Sequence, residues 1–298
     1  MREPLAMPDN LARSTRDHPE TAAWIPRLAG LVHEYAERWE LEVGAPFQPG
    51  GETAWVAPVR ASSGEELVLK IGRAHPEGVH EALALRIWEG DGAVRLHRDD
   101  VHADSTVLLM ERCIPGTALR ELPELQQDEV LADVLLRTWL RSVPAGLPLR
   151  PLIDLCSLWA DETEQQAATS PDLVDAGLVV AALDILRGRP PAVARPDDVL
   201  LVTDLHAGNV LAAHREPWLL IDPKPYLGEP AYDVVQHLLN CPRRLVRDPL
   251  GLTERMAGLA GLDVADVRTW TFARCVTEVW RSPHLLRVVE ELAPGRRR

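Results

Sequence analysis

The sequence predicts an α+β chain in two lobes, an antiparallel sheet lobe followed by a mainly helical one, and three observations carry that expectation. Leu41–Gly72 is strand-like, with apolar residues alternating around two glycine-containing turns at Gly50–Gly51 and Ser63–Gly64. Beyond Pro115–Gly116, read as a hinge, the apolar residues recur instead at three- and four-residue spacing. The helical half is interrupted once, by LLVTDLHAGNVLAAHREPWLLID (200–222), whose short apolar strands deliver Asp204 and Asp222. At 298 residues the chain is long enough for two packed units, divided here as 1–112 and 113–298.

In order along the chain, residues 20–40 read as a helix, with Trp24, Leu28, Leu31, Val32, Tyr35 and Trp39 forming one apolar stripe. Within the strand-like region, PFQPGGETAWVAPVRASSGEELVLKIG reads as three strands joined by the two turns. In the last of them Leu67, Leu69 and Ile71 alternate with Val68 and Lys70, so Lys70 faces away from Leu69. A helix carrying Glu81, Leu83, Ala84, Ile87 and Trp88 should stop near Gly90. A strand over Ala93–His97, a turn over Arg98–Asp104 and a strand over Thr106–Met110 complete the first half.

The second half should open with a helix from about Leu125 to Val143, burying Val130, Leu131, Val134, Leu135, Trp139 and Leu140. Helices are expected near 152–167 and over 171–188, the latter with Ser170 as N-cap and Pro171 in its first turn. Strands over Val199–Val202, Val210–Leu211 and Trp218–Ile221 follow, with a polar turn at His214–Pro217. Helices over Pro230–Leu239, 251–260 and 263–281 close the chain, and Arg296–Arg298 reads as a solvated tail.

Composition narrows the function classes. The chain has 45 acidic and 32 basic side chains, a net charge of −13, which excludes the basic footprint that nucleic-acid binding needs. It suits a cationic small molecule, although most acidic proteins are simply soluble. Cys113, Cys156, Cys241 and Cys275 form no C-x-x-C pair, which fits a reducing setting without a disulfide framework or zinc site. The opening MREPLAMPDNLARSTRDHPE has no apolar core and no apolar run reaches membrane-spanning length, so the expectation is a cytoplasmic protein.

Asp204, Asn209 and Asp222 form the sharpest chemical signal. Carboxylates at the ends of buried strands are costly unless a cation or a reacting proton sits between them. As plain structure, Asp204 would cap a turn and Asn209 would take a left-handed conformation. As chemistry, Asp204 would orient an acceptor hydroxyl, while Asn209 and Asp222 would offer hard oxygens to a cation such as Mg²⁺. Gly208 would allow the tight turn before Asn209. Upstream, Lys70 with Glu81 offers a strand ammonium held by a helix carboxylate, an arrangement that positions nucleotide phosphates. Gly51 and Thr53 could cap phosphates through backbone amides, or simply turn a hairpin. His206 and Asp233 read as structural, and Lys224 as either a phosphate contact or the partner of a nearby carboxylate.

D-L-x-x-x-N followed by a later Asp matches the catalytic loop and metal-binding Asp of kinases. With the strand Lys, the helix Glu, D-L-H-x-G-N-V-L and W-L-x-I-D-P-x-P-x-x-G-x-P-x-Y-D, the chain resembles the aminoglycoside phosphotransferases, which have the protein-kinase-like fold. RWELEVGAPFQPGGETAWVAPV, IWEGDGAVRL, VLLMER and AAHREPWLLIDPKP favour the streptomycin 6-phosphotransferase and hydroxyurea phosphotransferase branch, over roughly Trp24 to Trp280. The resemblance implies an ATP- and Mg²⁺-dependent phosphotransferase with a nucleotide-binding first lobe. In it Lys70 would hold the phosphates, Glu81 would position Lys70, and Met110–Cys113, including Glu111 and Cys113, would line the adenine site through backbone groups. Asp204 would be catalytic, and Asn209 and Asp222 would hold the metal. One departure stands out: the family often has His-Gly before the catalytic Asp, where this chain has Val202–Thr203.

The implied substrate is a small, cationic, hydroxylated antibiotic of the streptomycin type, with hydroxyurea second; the protein is expected to be a monomer or weak dimer that binds neither nucleic acid nor membrane. Asp161, Glu162, Glu229 and Glu278 are candidate acidic contacts for it. A choline, homoserine or sugar kinase of the same fold is an alternative acceptor reading, and a nucleotide-binding pseudokinase and a metal-dependent hydrolase built on Asp204, His206, Asp222 and His237 are the alternatives from other classes.

Overall fold

The computed structural model describes residues 5–75, 78–193 and 195–295; the tail at Arg296–Arg298 lies outside them. The chain forms two compact units, Met1–Gly116 with Ala212–Leu219, and Thr117–Leu211 with Leu220–Arg298.

The first unit starts with α1 (Asp9–Asp17) and α2 (Pro19–Arg38). Helix α2 buries the expected stripe of Trp24, Leu28, Leu31, Val32 and Tyr35. Strands β1 (Leu41–Val43), β2 (Ala54–Ala61) and β3 (Glu66–Arg73) lead through α3 (Glu81–Trp88) to β4 (Leu96–Val101) and β5 (Ser105–Glu111). They make one sheet of order β1-β2-β3-β5-β4, with every pairing antiparallel. Trp55, Ala57 and Val59 of β2, Leu67, Leu69 and Ile71 of β3, and Val107 and Leu109 of β5 share a core with α2. Because side chains alternate along a strand, Lys70 emerges on the opposite face, level with Val56 and Leu108.

Two expectations fail in this unit. The strand expected over Ala93–His97 lies instead at Leu96–Val101 and takes in half of the supposed Arg98–Asp104 turn. It is the sheet's edge, where charged side chains such as Arg98 and Asp99 are tolerated and even useful against unwanted pairing. The first strand is Leu41–Val43, ahead of the PFQP run, whose prolines lack the N–H that a strand ladder needs.

The chain then enters β6 (Pro115–Ala118) and the helices α4 (Glu124–Trp139), α5 (Leu152–Thr169) and α6 (Ala176–Gly188). Next come β7 (Val199–Leu201), β8 (Val210–Ala213), β9 (Trp218–Leu220) and β10 (Tyr226–Gly228). The remaining helices are α7 (Pro230–Asp233), α8 (Val235–Leu239), α9 (Pro242–Arg247), α10 (Pro249–Ala260), α11 (Val264–Glu278) and α12 (Leu286–Leu292). Strands β10 and β7 pair antiparallel, Tyr226 opposite Leu201, and β6, β8 and β9 form a small sheet in the order β6-β8-β9.

Helix α4 stops at Trp139, which leaves Leu140 exposed rather than buried as expected. Helix α6 starts at Ala176, not near Pro171, because Asp175 caps it by accepting from the amides of Gly177 and Leu178. The helix expected over Pro230–Leu239 is divided at Val234 into α7 and α8. The sequence pattern does not announce helices α1, α9 and α12. Among the described residues no helix is long and apolar enough to cross a membrane.

Candidate active site

The first unit contains a buried, paired ammonium. Lys70, on the central strand β3, places Nζ 2.7 Å from both carboxylate oxygens of Glu81, the first residue of α3. The side chains are 11% and 6% exposed. Drawing both ions out of water costs several kcal/mol, which only close, two-point geometry offsets. Such a pair does little for stability as such; it fixes where a cation points.

The turn ahead of β2 is built around Gly50. Its φ is +72°, and a Cβ there would sit 2.4 Å from the Cβ of Pro8, so only glycine fits. The amide of Asn10 donates to the Pro49 carbonyl at 2.9 Å, and its side-chain Nδ2 donates to the Gly50 carbonyl at 2.8 Å. The start of α1 thus fastens the turn that contains Gly51 and leads to Thr53. At the other end of the sheet, Glu111 closes β5. Its carboxylate accepts from Arg215 Nε at 2.8 Å, Arg215 Nη2 at 2.9 Å and the Arg95 amide at 3.0 Å. Burial alone would raise its pKa, but the Arg215 hydrogen bond and the Arg95 amide hold it below the usual carboxylate range. Arg215 also donates to the carbonyls of Gly90 (2.7 Å) and Ala93 (3.0 Å). In the sequence it stands only within the polar turn His214–Pro217. Burial pushes the Cys113 thiol up to about 12, so it is no nucleophile at neutral pH.

The second unit contains the acids Asp204 and Asp222. Strand β7 runs into Val202 and Thr203, whose amides donate to the two oxygens of Asp233 at 2.9 and 2.7 Å. Trp139 Nε1 adds a third donor at 3.0 Å. Asp233 is fully buried; burial raises its pKa to about 6 in spite of these three donors. The carboxylate therefore fastens the end of β7 to α7, the structural role expected of it.

Backbone bonds then bring the three signal residues side by side. The Lys224 amide donates to the Val202 carbonyl at 3.0 Å, and the Ile221 amide to the Asn209 carbonyl at 2.8 Å. Asn209 Nδ2 donates to the Asp204 carbonyl at 3.1 Å. That bond fixes the orientation of the amide group. His206 Nδ1 accepts the Gly208 amide at 3.0 Å, and a Cβ at Gly208 would lie 2.8 Å from the ring. His206 is thus a loop brace, and burial lowers its pKa.

Asp204 itself is gripped on both oxygens. Lys224 Nζ is 2.8 Å from Oδ2, and Gln236 Nε2 donates to Oδ1 at 3.4 Å. Lys224 therefore stands as the partner of a carboxylate, one of the two roles expected for it.

One carboxylate with one amide oxygen is the donor set of a hard cation that keeps most of its coordination for phosphates and water, as Mg²⁺ does. Among the described residues no group of three or more His, Cys, Asp or Glu could hold a metal by itself. His237 is committed elsewhere, its Nε2 2.8 Å from the buried Asp128. Of the four residues named for the hydrolase alternative, His237 is thus engaged by Asp128.

The acidic residues suggested for a cationic acceptor are all paired with arginine. Asp161 takes Arg187 at 3.2 Å, Glu229 takes Arg189 Nε at 2.7 Å, Glu278 takes Arg274 at 3.1 Å, and Glu162 takes Arg281.

A family model described as aminoglycoside/hydroxyurea antibiotic resistance kinase matches residues 38–283. The chain is 36% identical over 265 residues to a streptomycin 6-kinase of Streptomyces glaucescens, covering 86% of this chain and 83% of that protein. It is 37% identical over 257 residues to a hydroxyurea phosphotransferase of Kitasatospora aureofaciens, covering 85% of this chain and 72% of that protein. Among solved structures it is similar in fold to an amicoumacin kinase in complex with AMP-PNP, Ca²⁺ and Ami, with a TM-score of 0.60 and 13% identity over 92% of this chain and 95% of that one. The fold is that of the protein-kinase-like phosphotransferases.

Proposed function

The chain belongs to the aminoglycoside/hydroxyurea antibiotic resistance kinases, and on that footing we propose that it is an ATP- and Mg²⁺-dependent O-phosphotransferase acting on a small hydroxylated antibiotic. A streptomycin-type aminoglycoside is the first candidate and hydroxyurea the second. The observation that carries this reading is the locked Asp204–Asn209–Asp222 group, in which backbone bonds from Ile221 and Lys224 hold two loops in register.

In this reading Lys70, aimed by Glu81, contacts the α- and β-phosphates, and the segment Met110–Cys113 receives the adenine through backbone groups. Gly51 and Thr53 offer amides to the phosphates. Asp204 orients the acceptor hydroxyl and takes up its proton as the γ-phosphoryl group moves in line from the nucleotide. Asn209 Oδ1 and the Asp222 carboxylate would hold Mg²⁺, which when bound neutralises charge on the phosphate oxygens. Catalysis by such a set is mainly positioning and electrostatic stabilisation.

The test is to incubate the protein with MgATP and streptomycin, other aminoglycosides or hydroxyurea, and to look by mass spectrometry for a product heavier by one phosphoryl group. Asp204→Asn should lower turnover by about 10²–10⁴-fold while ATP still binds. Near-normal turnover in that variant would show the role of Asp204 to be wrong. ATP binding without consumption against every acceptor would favour the pseudokinase reading.

A further inference from the structure

Asp204 can orient a hydroxyl only if its own carboxylate is held still. A carboxylate on one methylene turns readily about its last torsion, which has broad, two-fold preferences. We propose that Lys224 is the residue that fixes it: a positioning residue that acts on phosphoryl transfer through Asp204, with Gln236 as the second point of the grip. The proposal rests on the assignment of Asp204 made above.

Three observations support it. The Lys224 ammonium lies 2.8 Å from Oδ2 while Gln236 Nε2 reaches Oδ1 at 3.4 Å, so the two oxygens are held from different segments. The backbone that carries Lys224 is itself fastened beside Asp204. Its amide donates to Val202 at 3.0 Å, and its carbonyl accepts the Thr203 hydroxyl. Residues 202–204 and Lys224 therefore form a closed ring of bonds, and the lysine stem starts from a fixed point.

Gln236 is also on firm ground. It precedes His237 on α8, and His237 binds the buried Asp128, which in turn accepts from Arg244 at 2.9 and 2.6 Å and from Arg255 at 2.8 Å. The bracing of α8 thus reaches the carboxylate through one side chain. Lys224 and Asp204 are 31% and 17% exposed, so the pair is open enough for a substrate hydroxyl to approach.

A lysine beside a kinase aspartate could instead serve the phosphates directly. The two roles differ in what happens once Asp204 is gone, and a double-mutant cycle separates them. Lys224→Met, Lys224→Arg, Gln236→Leu, Asp204→Asn and the Asp204→Asn/Lys224→Met double variant would be assayed with MgATP and whichever of streptomycin or hydroxyurea the wild type phosphorylates, or for ATP hydrolysis if neither is an acceptor. Lys224→Met should lower kcat by about 10–100-fold, the scale of a misplaced reacting group, with KM for ATP nearly unchanged. Lys224→Arg should recover part of the loss, and Gln236→Leu should show a smaller one. The double variant should be no slower than Asp204→Asn alone. Multiplicative losses in the double variant, or MgATP binding weakened by Lys224→Met in calorimetry, would assign Lys224 to the phosphates and overturn the proposal.

Melting temperatures of the same variants test the contact without any turnover. The losses from Lys224→Met and Asp204→Asn should be non-additive, and additive losses would mean that no pair forms. Wild-type turnover in Asp204→Asn would instead refute the catalytic assignment, leaving the melting-temperature cycle to judge the pair by itself.

Discussion

Histidine 237 should give the helical unit a pH-dependent share of its stability. The imidazole is 1% exposed and Asp128 is 0% exposed. Burial alone would lower the pKa of His237, but the Asp128 hydrogen bond, helped by Cys241, outweighs it and raises the value to about 9. Asp128 moves the other way: burial opposes its charge, yet His237, Arg244 and Arg255 hold it strongly ionised. The two shifts describe one interaction and are counted once. Measured from the ordinary value of 6.5, the histidine shift corresponds to about 3 kcal/mol. A group with a raised folded pKa contributes fully below its unfolded pKa, and the contribution is lost as pH rises through the folded one. The stabilisation should therefore be complete near pH 6 and gone by about pH 10. At about 2–4 °C per kcal/mol, that is a fall of roughly 6–12 °C in melting temperature. The assay is urea or thermal unfolding across that range, followed by helical circular dichroism, on the wild type and on His237→Gln. Other groups titrate there too, so the difference between the two proteins is the quantity of interest. The wild type should lose the extra stability on the alkaline side and the variant should not. Parallel pH profiles would refute the ionised His237–Asp128 pair.

Further outcomes follow from the other ties. Arg215→Met removes the fork from Glu111 and leaves the Gly90 and Ala93 carbonyls without that donor, so the first unit should lose about 2–4 kcal/mol in denaturant titrations. Arg215→Lys, which keeps the charge but not the fork, should recover only part. Asp233→Asn turns one acceptor oxygen into a donor facing amides, and should cost about 2–4 kcal/mol in denaturant titrations and lower turnover by loosening the end of β7. At Thr203, whose φ is +52°, Thr203→Gly should be more stable than Thr203→Ala by about 1 kcal/mol in thermal melts, since alanine loses the hydroxyl but keeps the left-handed strain.

What could be read from the sequence was what is local. Alternation over Leu67, Leu69 and Ile71 placed Lys70 on the face away from the α2 core, and the α2 stripe named most of that core. The sheet edge was not legible, because an edge strand carrying Arg98, Asp99 and Asp100 has the composition of a turn. Helices α9 and α12 span only 6 and 7 residues, too few for a period to show. The order of Asp204, Asn209 and Asp222 is a matter of spacing, so it stood out. Their supports come from distant segments and did not. Asp128 looks like any acid on an amphipathic helix, yet it is fully buried because His237, Arg244 and Arg255 arrive from three other helices. The arginine partners of the acidic candidates were hidden for the same reason: nothing near Asp161, Glu162 or Glu229 in sequence announces Arg187, Arg281 or Arg189.

Val202–Thr203 shows how a departure from a family pattern can keep the geometry that the pattern serves. Position 203 must turn left-handed to deliver Asp204, a conformation that glycine adopts freely and that a β-branched residue adopts at a cost of about 1–2 kcal/mol. Threonine meets that cost with bonds glycine could not all make. Its amide donates to Asp233, as any residue's would, but its hydroxyl also reaches the Lys224 carbonyl. The left-handed turn is therefore held from both sides, by a buried carboxylate behind it and by the segment after β9 in front of it. Val202 is fully buried, and its amide and carbonyl serve Asp233, Lys224 and Asp204, so its side chain is free to be packing alone. Where glycine would supply conformational freedom, threonine supplies a tether, and that tether ends on the residue whose ammonium grips Asp204. The substitution thus trades backbone ease for a direct link between the turn that carries the carboxylate and the lysine that holds it.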